Sequence, residues 1–219
     1  MFFQGDPVRV IGRVDPEAAE KFYSKLYEKF NNKWVRRTFA LMDTSYCLKA
    51  ISPSNFDKLD TETETDLKSM LMPWVEPYVS ANEVIVYLDV SSLPPGAQSK
   101  AHVDYTWFHL MSKRIRIPLI TNSKSTFSLL TDNGSIKTYN LKVGKVYETN
   151  NSVIHMAANL GDTPRWHIVA DILDKRIYEY LLENNKLSSW GLHPSINFCL
   201  NSEVAARLEE ALKSDPINI

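Results

Sequence analysis

Between Asn82 and about Leu173, apolar and polar positions alternate in short runs that recur every ten residues or so: Glu83–Ser91, Lys100–Thr106, Arg114–Thr121, Ser125–Leu130, Ile136–Leu141, Lys145–Thr149, Ser152–Ala158 and Arg165–Leu173. A two-residue period sends successive side chains to opposite faces, so each run predicts a β-strand. The runs are separated by Pro94-Pro95-Gly96, Thr121-Asn122, Asp132-Asn133-Gly134, Val143-Gly144 and Leu160-Gly161-Asp162-Thr163-Pro164, all turn chemistry. Strands in this number and at this spacing suit a jelly-roll or closed β-sandwich.

The flanks follow a different period. Val8 to Val14 alternates as a short strand, and Asp15-Pro16-Glu17 reads as an N-cap, a proline at N1 and an acidic first turn. The helix that follows carries Ala19, Phe22, Leu26 and Phe30 at helical spacing as a packing stripe. Phe39 to Ser52 reads as strand and loop, and Glu62 to Val79 as a second helix, interrupted or bent near Pro73 and Pro77. Helical pattern returns at Lys175–Glu183 and Ser202–Lys213. The expectation is one domain, mainly β with flanking helices: residues 1–81 a strand and bracing helices, 82–173 the β core, and 174–219 C-terminal helices.

With 219 residues, 44% of them hydrophobic, the chain has ample material for one core. Lys plus Arg (25) nearly equals Asp plus Glu (26), so there is no basic field for nucleic acid. Cys47 and Cys199 are too few and too isolated for a disulfide framework or a thiolate metal site, which favours a reducing compartment. The first residues lack the basic flank and apolar run of a secretory signal, and no stretch approaches the roughly 20 apolar residues of a membrane span. A soluble cytoplasmic protein is expected; its oligomeric state is left open.

Candidate chemistry begins at Ala101-His102-Val103-Asp104, where an extended chain points the imidazole and the carboxylate to one face. Two histidines and a carboxylate, with three adjacent positions open, form the facial triad suited to non-haem Fe(II) and oxygen. His155 offers the second imidazole. A hairpin is expected to join its strand to Arg165-Trp166-His167-Ile168-Val169-Ala170-Asp171, placing Arg165 in the barrel interior. A buried guanidinium needs a carboxylate, and its planar fork binds one through two bonds. Arg114 and Arg116 alternate with Ile115 and Ile117, leaving two readings of that basic face: solvent-exposed, or anion-binding. Tyr105, Trp107 and His109 either line a substrate entrance or pack a loop. His167 sits deeper along its strand than a ligand would, and His193 reads as structural.

Taken together, Leu93-Pro94-Pro95-Gly96, Arg114-Ile115-Arg116-Ile117-Pro118-Leu119-Ile120-Thr121, Gly144-Lys145-Val146-Tyr147-Glu148 and Arg165-Trp166-His167-Ile168-Val169-Ala170-Asp171 make the stretch from about Val84 to Ile172 resemble the aspartyl/asparaginyl β-hydroxylase family of 2-oxoglutarate oxygenases, which includes bacterial proline hydroxylases. The resemblance implies a double-stranded β-helix, the cupin-like jelly-roll. It implies Fe(II) held by His102, Asp104 and His155, with 2-oxoglutarate as cosubstrate and O2 as oxidant. Arg165 would bind the distal carboxylate of 2-oxoglutarate, assisted by Ser91 and Arg114. The substrate would be an amino acid or a peptide or protein side chain. Position 116 is arginine where the family commonly has histidine, and Asp104 supplies a carboxylate that the animal members lack. Two further readings stay open: a cupin-like isomerase or dioxygenase that does not use 2-oxoglutarate, and a non-catalytic binding module on the same fold.

Overall fold

The computed structural model describes residues 6–30, 39–41, 61–99, 101–104, 106–131, 133–150, 152–187, 206–207, 210–211 and 217–218. In chain order the elements are β1 (Val8–Arg13), α1 (Pro16–Phe30), β2 (Phe39–Leu41), α2 (Thr61–Val75) with a 3₁₀ turn (Glu76–Tyr78), β3 (Glu83–Leu93), α3 (Trp107–Met111), β4 (Lys113–Ile120), β5 (Ser125–Leu130), β6 (Ile136–Asn140), β7 (Lys145–Thr149), β8 (His155–Asn159), β9 (Arg165–Asp174), α4 (Lys175–Glu183) and β10 (Ile217–Asn218). No described helix is long and apolar enough to cross a membrane.

The strands form a six-stranded sheet, in the order β1-β7-β4-β9-β3-β2, and a four-stranded sheet, β10-β6-β5-β8. All pairings are antiparallel except the short β10–β6 contact. This is the double-stranded β-helix that the strand spacing and the resemblance imply.

Helices α1 and α2 cover one face of the large sheet. Ala19, Leu26, Leu67, Leu71 and Val75 pack there on Leu88, Val90, Ile115, Ile117, Leu119, Ile168, Ala170 and Ile172, and burial of this apolar area is the main force fixing the helices to the barrel. Helix α1 starts as its sequence dictates: the Asp15 carboxylate accepts from the Glu17 N–H at 3.1 Å, with Pro16 as the first helical residue. In α2 the helix runs through Pro73 rather than breaking there. The proline lies in the last turn, where few backbone bonds remain to be lost, and the chain tightens into the 3₁₀ turn only at Pro77.

Two local expectations are corrected. Residues 101–104 do not form the regular strand expected over Lys100–Thr106: the chain touches β8 through isolated bridges, Gln98 to Ala158 and His102 to His155, and Thr106 caps α3. Nor do β8 and β9 form a hairpin. The edges of β8 are taken by β5 and by the bridged segment, whereas β9 lies between β4 and β3 in the other sheet, so the turn at 160–164 crosses between sheets. Phe39–Leu41 is a strand, as expected for the start of that segment; the loop after it, the helix expected at Ser202–Lys213 for the most part, Tyr105, His193, Cys47 and Cys199 lie outside the described residues.

Candidate metal and anion site

Alternation along β4 sends Ile115, Ile117 and Leu119 out to the helices and Arg114 and Arg116 into the barrel. In register on the neighbouring strands, Arg114 lies opposite Asp171 and Arg116 opposite Val169, with Tyr87 and Asp89 opposite the same two residues on β3. Cross-strand partners share a face, so the inner face of the large sheet carries Arg114, Arg116, Arg165, His167, Asp171, Asp89 and Tyr87. Arg114 and Arg116 are both buried, which excludes the solvent-exposed reading of that strand.

The small sheet supplies the opposite wall. The His102–His155 bridge, with backbone bonds of 3.0 and 2.9 Å in the two directions, brings the imidazoles to a ring separation of 4.4 Å. Asp104 lies 3.7 Å from His102 Nε2 through Oδ1 and 3.8 Å from His155 Nε2 through Oδ2. The three donor atoms lie within 4.8 Å of one another, a cluster tight enough for a single ion. His155 Nδ1 is 2.9 Å from the Val153 carbonyl, which can only accept, so Nδ1 carries the proton and the Nε2 lone pair faces the cluster. Burial, reinforced by nearby His102, drives the His155 pKa down to about 3 and keeps the ring in its neutral, metal-binding form. Two neutral-capable imidazoles and one carboxylate fit a divalent iron-type centre. His102 is the solvent-facing member and His155 the buried one.

Arg114 does not point to a vacant anion site. Its Nε and Nη2 grip Asp171 at 2.8 and 2.5 Å, and its Nη1 bonds Asp104 Oδ2. The resemblance gives this arginine an assisting part in cosubstrate binding; in the structure it bonds two carboxylates of the chain itself. Asp104 is half-buried, and Arg114 beside it, with His109 and the two histidines of the cluster, holds its carboxyl well below the usual range against the desolvation that would raise it. Asp171 is tied further, to Ser112 Oγ at 3.0 Å, while His109 Nε2 lies 3.4 Å away. His109 Nδ1 is 2.6 Å from Thr106 Oγ1, the cap of α3. His109 is therefore buried in the support behind Asp104 rather than lining an entrance, and Trp107 packs with Leu173, Leu181 and Tyr178 against α4.

Arg116 and Arg165 differ from Arg114. Arg165 is buried to 1% exposure and bonds His167 Nδ1 at 3.0 Å; Arg116 bonds Thr149 Oγ1 at 3.3 Å and lies 4.7 Å over the Phe127 ring. Among the described residues neither has a carboxylate partner. Burial lowers both pKa values, to about 9 for Arg165 and about 10 for Arg116, and each arginine repels a neighbouring one. At neutral pH both keep their charge. Asp89 does not compensate them: burial pushes its pKa up to about 8, so it is mostly the neutral acid, accepting a 3.0 Å bond from Tyr87. Among the described residues, three guanidiniums, of Arg114, Arg116 and Arg165, thus share the inner face with the carboxylates of Asp104 and Asp171, and only Arg114 bonds them. Ser91 lies on β3 opposite His167, at the Arg165 end of the cavity.

Of these residues, sequence reasoning missed Asp171 and Asp89, and it left Arg116 between an exposed and an anion-binding reading. A signal was present: Arg165, His167 and Asp171 recur at even spacing through an otherwise apolar strand, as do Tyr87, Asp89 and Ser91.

A model of the aspartyl/asparaginyl beta-hydroxylase family matches residues 20–175. No curated protein matches the chain in sequence. Among solved structures the chain is similar to the apo form of the non-heme monooxygenase ThoJ, at 11% identity and a TM-score of 0.50, covering 77% of this chain and 74% of that one. It is also similar to a prolyl-4-hydroxylase of Pseudomonas putida (10% identity, TM-score 0.45, 76% and 92% covered) and to SnoN, an alpha-ketoglutarate dependent epimerase from nogalamycin biosynthesis (11%, 0.48, 77% and 78%). At such identity the ThoJ likeness speaks to the shared fold alone.

Proposed function

This chain belongs to the aspartyl/asparaginyl beta-hydroxylase family, and from that premise we propose that it is an Fe(II)- and 2-oxoglutarate-dependent dioxygenase that hydroxylates an amino acid, or an Asp-, Asn- or Pro-like side chain of a peptide or protein, with release of succinate and CO2. The observation that carries the reading is the pairing, between the two sheets, of a His102–Asp104–His155 cluster with a buried Arg165 that has no carboxylate of its own among the described residues. In this reading His102, Asp104 and His155 hold iron, which with 2-oxoglutarate and O2 supplies the oxidising power to functionalise an unactivated C–H bond. Arg165 receives the distal carboxylate of 2-oxoglutarate, with Ser91 beside it, and Arg116 adds positive charge along the path from Arg165 to the cluster. Arg114 keeps one oxygen of Asp104 occupied and orients the other. The enclosing strands exclude water from the reacting atoms. Near-neutral charge supports a small-molecule or polypeptide substrate over a nucleic acid.

The alternative, a metal protein on the same barrel that does not use 2-oxoglutarate, leaves the Arg165 charge unexplained. The two readings separate under anaerobic conditions. Fe(II) plus 2-oxoglutarate is expected to give a weak visible charge-transfer band in the intact protein and none in Asp104→Ala. An iron-loaded protein that shows no band on adding 2-oxoglutarate would favour the alternative. Succinate release screened over free amino acids and short peptides then identifies the substrate class.

A further inference from the structure

His167 lies next to Arg165 on the inner face and belongs neither to the metal cluster nor to the Arg114 support. A guanidinium only donates, so the 3.0 Å contact between Arg165 Nη2 and His167 Nδ1 makes Nδ1 an acceptor. Burial, with Arg165 and Arg116 close by, pushes the ring's pKa well down, so it is neutral. A neutral imidazole whose Nδ1 accepts carries its proton on Nε2. That Nε2–H is a donor, it is buried, and it has no partner among the described residues. The residues opposite His167 in register are Ser91 on β3 and Pro118 on β4. Proline brings no polar side chain, and no bond joins the Ser91 hydroxyl to the ring. A buried donor without an acceptor is unfavourable in the empty cavity and favourable once a carboxylate arrives.

We propose that His167 Nε2–H is a second, uncharged donor to the distal carboxylate of 2-oxoglutarate, set beside the Arg165 guanidinium by the bond between the two side chains. Arg165 supplies charge to that carboxylate, and His167 supplies a directed bond without adding to the repulsion between Arg116 and Arg165. The inference rests on the 2-oxoglutarate reading given above.

The test is equilibrium binding to the Fe(II)-loaded protein without O2, using 2-oxoglutarate and, in parallel, pyruvate, a 2-oxo acid with no distal carboxylate. His167→Leu is expected to weaken 2-oxoglutarate roughly tenfold, the loss of one hydrogen bond to a charged acceptor, and to leave pyruvate unchanged. His167→Gln, which keeps both a donor and an acceptor at that depth, is expected to recover most of the loss and guards against a Leu variant that fails to fold. Equal weakening of both ligands would reveal a purely structural role and overturn the inference, as would a Leu variant that binds 2-oxoglutarate like the parent. A parent protein that binds pyruvate but gains nothing from 2-oxoglutarate would instead remove the cosubstrate reading itself.

Discussion

On the outer face of the six-stranded sheet, Ile115, Ile117, Ile168 and Ala170 meet helices α1 and α2; on the inner face of the same strands stand Arg114, Arg116, His167 and Asp171. Both sets are almost completely buried. What separates them is how each interaction is completed. The outer face is finished by other parts of the chain, through non-directional contact that any close-packed apolar surface provides. The inner face is finished only in part: Arg114, Asp104 and Asp171 satisfy one another, while among the described residues Arg116 and Arg165 bond neutral partners and no carboxylate, and His167 Nε2 has no partner. Burial therefore marks the fold on one side and a binding cavity on the other, and only the count of hydrogen-bond partners tells them apart.

The contrast breaks most severely at Arg114. Arg114→Met leaves the buried Asp171 and the half-buried Asp104 without their cation, and the expected cost is about 3–5 kcal/mol in denaturant unfolding; a loss below about 1 kcal/mol would mean that the inner network contributes little. Next comes the outer face. Ile117→Ala, at a position with no solvent exposure, is expected to cost about 2–4 kcal/mol while leaving the affinity for 2-oxoglutarate within about twofold. A large change in affinity there would show that the two faces are not independent.

The smallest effect is expected at Asp89. Its carboxyl is neutral in the fold, with a pKa near 8 against an ordinary value of 3.8. The unfolded chain ionises first as pH rises, so the stability this residue contributes is complete below about pH 4 and is lost progressively toward about pH 8. Asp89→Asn, neutral throughout, is expected to flatten that decline by on the order of 1–2 kcal/mol. Unfolding curves at several pH values measure it, and parallel profiles for parent and variant would refute it.

Much of this was legible in the sequence. Strands such as Ser125–Leu130 and Lys145–Thr149 are found where alternation and turn residues place them, because both signals are local. His102, Asp104 and His155 were readable as a candidate triad from residue type and spacing, and their donor atoms converge. Failures arose where the deciding contact is remote. Arg114 and Arg116 look equivalent on their strand; only Asp171, 57 residues away, separates the one that is paired from the one that is not. The presumed hairpin between β8 and β9 failed for a related reason, since neighbours along the chain pair only if no other strand claims their edges. Asp89 gave no signal as a lone residue, because its significance depends on the depth at which β3 carries it.

The reciprocal backbone bonds between His102 and His155 act as a clasp that closes a long loop through the main chain itself. The entropy of bringing these two ligands together is thus spent when the barrel forms. In the iron-binding reading, the ion would then provide affinity rather than folding, unlike the ion in a small zinc-dependent domain, and a chelator is expected to remove it without dismantling the walls around it.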